Sequence, residues 1–188
     1  MVKSLILCEG GDDIGFLNLL IKYLKIDNNK IDIKKLDSKS NFFKLETYRD
    51  KNILSKIEAN QYNEILFIFD SDYKEDDSIY GGFTNSEREI KNIIAEIKEE
   101  VGFVFYTDYY IACDPKTKNG NLEHLIISTL SEEKQKCVNT LLECIKPHNT
   151  FGNKKIVLSS YKTIFDEPNY NFEHKNFDEL KEKIENLL

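Results

Sequence analysis

Glu9, Asp70 and Asp72 are the residues whose types and spacing could do chemistry in this 188-residue chain. Each stands where an apolar run stops. Leu5-Ile6-Leu7 leads through Cys8 to Glu9-Gly10-Gly11-Asp12-Asp13, and Ile65-Leu66-Phe67-Ile68-Phe69 leads to Asp70-Ser71-Asp72. An acid at the end of a buried strand adds no packing and costs desolvation. It is therefore either solvated at the strand tip or faced by a positive charge. Alternate side chains at a strand end point the same way, so Asp70 and Asp72, two residues apart, can converge on one point. If the two strands are neighbours, Glu9 faces that point as well. Three hard oxygen ligands gathered in this way repel one another unless a hard cation neutralises them. Magnesium suits such a set, because it accepts a few carboxylates and keeps waters for a substrate phosphate, and manganese is the alternative ion. The bland alternative is that Asp-x-Asp merely opens a solvated turn. Two acid-tipped apolar strands in one chain shift the balance toward a site.

The elements that must position these residues follow from hydrophobic period. Residues 3–8 read as a buried strand, and Asp12 to Lys25 as an amphipathic helix with Ile14, Leu17, Leu20, Ile21 and Leu24 on one stripe and Asp12 as N-cap. Residues 31–36 alternate like a strand at or near a sheet edge, and Phe42 to Ile57 reads as one helix weakened by Asn52. The run at 64–70 is almost continuously apolar, as a central parallel strand covered on both faces must be. A polar loop over 71–84 precedes a helix capped by Asn85 or Ser86 and reaching Glu100, and 103–113 is an aromatic strand. A Pro- and Gly-punctuated loop over 114–121 leads to helices at 122–129, 131–146, 154–165 and 177–187. The order predicts a three-layer, Rossmann-like α/β fold with a mostly parallel sheet, its core over 1–113 and an α-rich C-terminal extension over 114–188 packed on it. In such a sheet the carboxyl ends of the strands share one crevice, where ligands bind.

Composition narrows the function. With 26 Lys+Arg against 33 Asp+Glu the net charge is −7, which argues against a broad electrostatic grip on DNA or an anionic membrane but leaves room for a local basic groove. Arginine is confined to Arg49 and Arg88. Cys8, Cys113, Cys137 and Cys144 form no CxxC and no Cys/His pairing, so buried free thiols in a reducing cytosol are expected rather than a zinc site. The N-terminus runs directly into a strand and no apolar stretch is long enough to span a bilayer, so a cytoplasmic protein without a signal peptide is expected.

The pairing of LILCEGGDD (5–13) with ILFIFDSD (65–72) resembles the Toprim domain shared by topoisomerases, bacterial primases, old-type nucleases and recombination proteins of the RecR kind. The likeness spans about residues 3–113. GNLEHLI (120–126), the NKK segment (153–155) and a short acidic C-terminal helix extend it to small stand-alone Toprim-like proteins, several of which resemble the nuclease half of old-type proteins. The resemblance implies that Glu9 works as general acid/base or metal ligand, that Asp70 and Asp72 hold magnesium, and that Asp13 helps a second metal. The insert YKEDDSIYGG (73–82) departs from the family's tight turn. No topoisomerase active-site domain, primase zinc ribbon or ATPase domain stands beside the motifs, so none of those whole-protein identities is expected.

Other residues carry two readings each. Glu123 in the first turn of its helix either complements the helix dipole or enters the crevice as a further metal ligand, and Asp114 just past the fourth strand is equally ambiguous. Lys154, with Lys155, and Arg88 stand at helix starts, where a cation is unfavourable unless it meets a phosphate or, for Arg88, a carboxylate. His124, His148 and His174 have no nucleophile at a recognised spacing, and Gly10-Gly11 lacks the third glycine of a dinucleotide loop. A phosphatase of the Asp-x-Asp type is disfavoured because no lysine partner stands at a recognisable place. The expectation is a magnesium-dependent phosphotransfer protein acting on nucleic acid, DNA rather than RNA, as a nuclease or nicking activity. The alternative is an accessory module on the same scaffold that binds a metal, a nucleotide or a protein partner without turnover.

Overall fold

A computed structural model describes residues 2–145 and 170–187. Four strands, β1 (Lys3–Cys8), β2 (Ile31–Lys35), β3 (Tyr62–Asp70) and β4 (Tyr106–Ala112), form one sheet in the order β2-β1-β3-β4, every pair parallel. The expected three-layer α/β architecture is present. The chain moves from β1 outward to β2 on one side and then returns past β1 to β3 and β4 on the other. Right-handed crossovers require the connecting helices to change faces when the direction reverses. Accordingly α1 (Gly11–Tyr23) packs on one face, whereas α2 (Lys39–Phe42), α3 (Leu45–Asp50), α4 (Ile53–Glu58) and α5 (Phe83–Val101) pack on the other.

Strand parity sorts the core into two layers. Ile6, Cys8, Leu66, Ile68, Tyr110 and Ala112 face α1, and Leu5, Leu7, Ile65, Phe67, Phe69 and Ile111 face α2–α5. Both faces of β1 and β3 are buried, which is why these strands read as unbroken apolar runs. Beyond β4, α6 (Leu122–Ser128) and α7 (Glu132–Ile145) follow, and a 3-10 turn leads into α8 (Asp178–Glu185). Leu125 and Ile126 of α6, with Phe177, Leu180, Ile184 and Leu187, join the α1 layer. Phe172 meets Phe16 of α1 edge-on at a ring distance of 5.6 Å, and Phe177 meets it tilted at 5.8 Å. The Leu187 carbonyl accepts from Ser4 Oγ at 2.5 Å, and Lys183 Nζ meets Asp108 Oδ2 at 2.7 Å, fixing α8 to β1 and β4.

Several local expectations are corrected. The helix expected over 42–57 is three short helices, because Asn52 adopts the left-handed conformation (φ 55°) and Lys44 is extended. Helix α1 is capped by Gly10 rather than Asp12, and the Asp13 side chain accepts the Gly10 N–H at 2.8 Å. Helix α5 starts at Phe83 after Gly82, and Ser86 is buried in its first turn, donating to the Tyr80 carbonyl at 2.9 Å. Cys8 and Cys113 are buried as expected, but Cys137 is exposed on α7. The helix expected over 154–165 lies outside the described residues. Among the described residues no helix is long and apolar enough to cross a membrane.

Because Ile184 is wholly enclosed against the β1 face, Ile184→Ala is expected to cost about 2–4 kcal/mol in urea unfolding. A cost near zero would mean that α8 is not part of the core.

Candidate functional site

The reversal of direction between β1 and β3 places a topological switch point between their carboxyl ends, the position where open α/β sheets bind ligands. Glu9 is the first residue past β1 and Asp70 the last of β3. They meet there: Glu9 Oε1 accepts the Asp70 backbone N–H at 2.8 Å. Asp70 Oδ1 in turn accepts the Leu122 N–H, at the start of α6, at 2.9 Å. Each carboxylate is thus oriented through one oxygen by a backbone donor, and its second oxygen is the one a cation would take.

Asp72 joins them by a different route from strand alternation. The chain leaves the sheet at Asp70 and turns at Asp72, whose φ is 58°. An antiparallel bridge to Gly120 pins the turn, with Asp72 N–H to the Gly120 carbonyl at 2.6 Å and Gly120 N–H to the Asp72 carbonyl at 3.1 Å. Gly120 has φ 90°, and a Cβ there would stand 2.6 Å from the His124 ring, so this position requires glycine.

Burial pushes the Glu9 carboxyl up to about 7, with Asp72 and Asp13 adding to the shift while the Asp70 N–H and Lys39 oppose it. Burial also holds Asp70 well above the carboxylate range, reinforced by Glu9, Asp13, Asp72 and Glu123. The expected acids therefore share one electrostatic site. Asp13 is raised by burial too, against hydrogen bonds from the Gly10 and Glu9 N–H groups; it lies in the first turn of α1, and its charge reaches the site from there. Glu123, in the first turn of α6, faces Asp70 closely enough to raise it.

Arg88 is not brought in: it is exposed on α5 and bonds Glu89 at 2.7 Å and Asn85 at 3.4 Å. Asp114 closes its own loop by accepting the Lys116 and Thr117 N–H groups at 2.8 and 3.0 Å. Lys154 lies outside the described residues. His124 packs against Tyr73 and Asn121, its Nε2 3.1 Å from the Tyr73 hydroxyl and its Nδ1 2.5 Å from Asn121 Oδ1.

The residue missed in the sequence is Lys39. It is only 7 % exposed, its Nζ donates to the Ser71 carbonyl at 2.5 Å, and it lies 3.6 Å from Asp72 Oδ2. Burial lowers its proton affinity, while Asp72, Glu9 and Asp70 act in the opposite direction. The same rule that picked out the ends of β1 and β3 applies to the end of β2, but a helix expected to begin at Phe42 left Lys39 in an unassigned loop. The objection that no lysine stands beside Asp-x-Asp is thereby removed.

The donor set of Glu9, Asp70 and Asp72 is all carboxylate oxygen, which fits magnesium or manganese and not a soft metal. Among the described residues no three such side chains are already drawn into a metal-holding arrangement; unneutralised carboxylates repel one another. Asn121, fully buried at the N-cap of α6, has an Nδ2 without a hydrogen-bond partner and directly precedes Leu122, whose N–H Asp70 accepts. Comparison of the chain with protein-family models, curated proteins and solved structures finds no match.

An acid whose folded pKa is raised loses its proton more readily when unfolded, so its cost to the fold is absent below the ordinary carboxylate range and grows as pH rises through the folded value. In EDTA the protein is therefore expected to lose on the order of 1–3 kcal/mol between pH 5 and pH 8. Glu9→Gln, which keeps an acceptor for the Asp70 N–H, should flatten that slope and raise the thermal midpoint at pH 8. A wild-type midpoint that rises with pH over this range would contradict the site's electrostatics.

Proposed function

We propose that this chain is a Toprim-like, divalent-cation-dependent phosphotransfer protein acting in the cytoplasm on nucleic acid, DNA in preference to RNA, as a nuclease or nicking enzyme. The observation that carries this reading is the Glu9–Asp70 contact at the switch point: two acids at the tips of adjacent central strands, with Asp72 and Glu123 close enough to act on Asp70. Asp70 and Asp72 would hold magnesium or manganese, with Glu123 and Asp13 as outer carboxylates. When bound, the cation polarises a phosphate oxygen and offsets the charge that develops there. Glu9, fixed by the Asp70 N–H, orients a water and takes its proton, or returns one to the leaving oxygen. The α6 start orients Asp70 through the Leu122 N–H, so this loop sets the geometry of the ligand.

A second reading, an accessory module without turnover, is supported by the net charge of −7 and by the placement of Arg88 away from the cluster, on an ion pair with Glu89.

Cleavage of single- and double-stranded DNA in magnesium or manganese separates the two. Glu9→Gln and Asp70→Asn are each expected to lower the rate at least about 100-fold with the fold retained. Manganese at about 100 times its dissociation constant should raise wild-type stability by about 3 kcal/mol and leave Asp70→Asn unmoved. Cleavage unchanged in both variants contradicts the nuclease reading. Manganese stabilisation without any cleavage assigns the accessory role.

A further inference from the structure

Lys39 is a buried cation within the cluster, tied to the Ser71 carbonyl and facing Asp72. An ammonium taken out of water needs compensation, and here it comes from the Ser71 carbonyl and from Asp72, both on the turn that carries Asp-x-Asp. That turn is held on its other side by the Gly120 bridge, beside the buried and unpartnered Asn121 Nδ2. Lys39 faces Asp72, Glu9 and Asp70, each of which raises its proton affinity. Its ammonium therefore stands against the carboxylate that a divalent ion would take.

We propose that Lys39 is a built-in counter-cation of the crevice: a divalent ion displaces it from Asp72, and the displaced ammonium becomes the contact for the substrate's phosphate. This rests on the metal-dependent reading above. The chemistry is a competition between one ammonium and one hard divalent ion for the same carboxylate oxygens, followed by a charge-assisted hydrogen bond from Lys39 Nζ to a phosphate oxygen. The tether supports it. Lys39 sits on the short helix α2, directly after the β2 edge strand, and its bond to the Ser71 carbonyl keeps its Nζ at the crevice when Asp72 is withdrawn. Residue identity matters in two ways. The charge opposes the metal, and the length of the side chain reaches the phosphate.

The test uses the full chain with Lys39→Met, close in size and uncharged, and Lys39→Arg, which keeps the charge. Manganese chloride alone is titrated calorimetrically into each. Removing a unit charge beside the metal is expected to tighten manganese binding about tenfold in Lys39→Met, even at the high effective dielectric of a partly solvated site. Lys39→Arg should stay within about twofold of wild type. At saturating manganese, a short fluorescent phosphorothioate oligodeoxynucleotide should bind Lys39→Met about tenfold more weakly than wild type, as expected for the loss of a charged contact to phosphate. Binding of manganese to Lys39→Met but not to wild type would be the extreme form of the same competition and would also support it. Unchanged manganese affinity in Lys39→Met, or unchanged oligonucleotide affinity, overturns the role of Lys39 and leaves the metal site standing. No manganese binding to wild type and to both variants overturns the metal-dependent reading itself. Circular dichroism establishes that Lys39→Met is folded, and if it is not, Lys39→Gln takes its place in both titrations.

Discussion

Carboxyl groups gathered half-buried at the end of a parallel sheet cannot all ionise without cost unless a positive charge faces them, and that constraint organises this molecule's crevice. Glu9 and Asp70 are delivered to one point by β1 and β3, the two strands buried on both faces. The backbone supplies part of the compensation: the Asp70 N–H holds Glu9, and the Leu122 N–H holds Asp70. Lys39 supplies a single formal charge. Burial, ahead of the neighbouring charges, raises the proton affinity of Glu9, Asp13 and Asp70. A structure that served stability alone would replace such a cluster by apolar side chains of similar size at no loss. Its retention at a switch point is what makes a ligand the natural explanation.

The rest of the fold serves the rigidity of that point. The α1 layer, closed by Phe172, Phe177 and α8, presses on Ile6 and Cys8 immediately before Glu9. The α2–α5 layer presses on Phe67 and Phe69 immediately before Asp70. Polar loops then meet above the sheet. The 71–82 loop carries Asp72, and the 114–121 loop carries Gly120 and Asn121. Their bridge at Asp72–Gly120 couples the Asp-x-Asp turn to the helix whose first N–H orients Asp70. A change in either loop is therefore felt at the carboxylates.

Much of this was legible in the residues, and the limits have physical causes. The strands at 3–8 and 64–70 announced themselves because two-sided burial leaves no alternation to misread, and their acidic tips marked the crevice. Helix boundaries were less legible, since Gly10, Asn52 and Gly82 set them through backbone conformation rather than hydrophobic period. Asp72 reached the site by a left-handed turn and a long-range bridge, not by the strand alternation that pointed to it. Lys39 was invisible, because a lysine in a polar loop carries no sign of burial until the sheet order brings the end of β2 beside that of β1. Arg88, read as meeting a phosphate or a carboxylate, meets the Glu89 carboxylate and Asn85 on its own helix.

The ligand proposed for the acidic crevice is a divalent cation. A crystal structure determined in manganese, with data collected for manganese anomalous scattering, tests it most directly. An anomalous peak bounded by Glu9, Asp70 and Asp72, with Lys39 moved off Asp72, is the expected result. Manganese located elsewhere, or an empty crevice at saturating manganese with Lys39 still on Asp72, would contradict it.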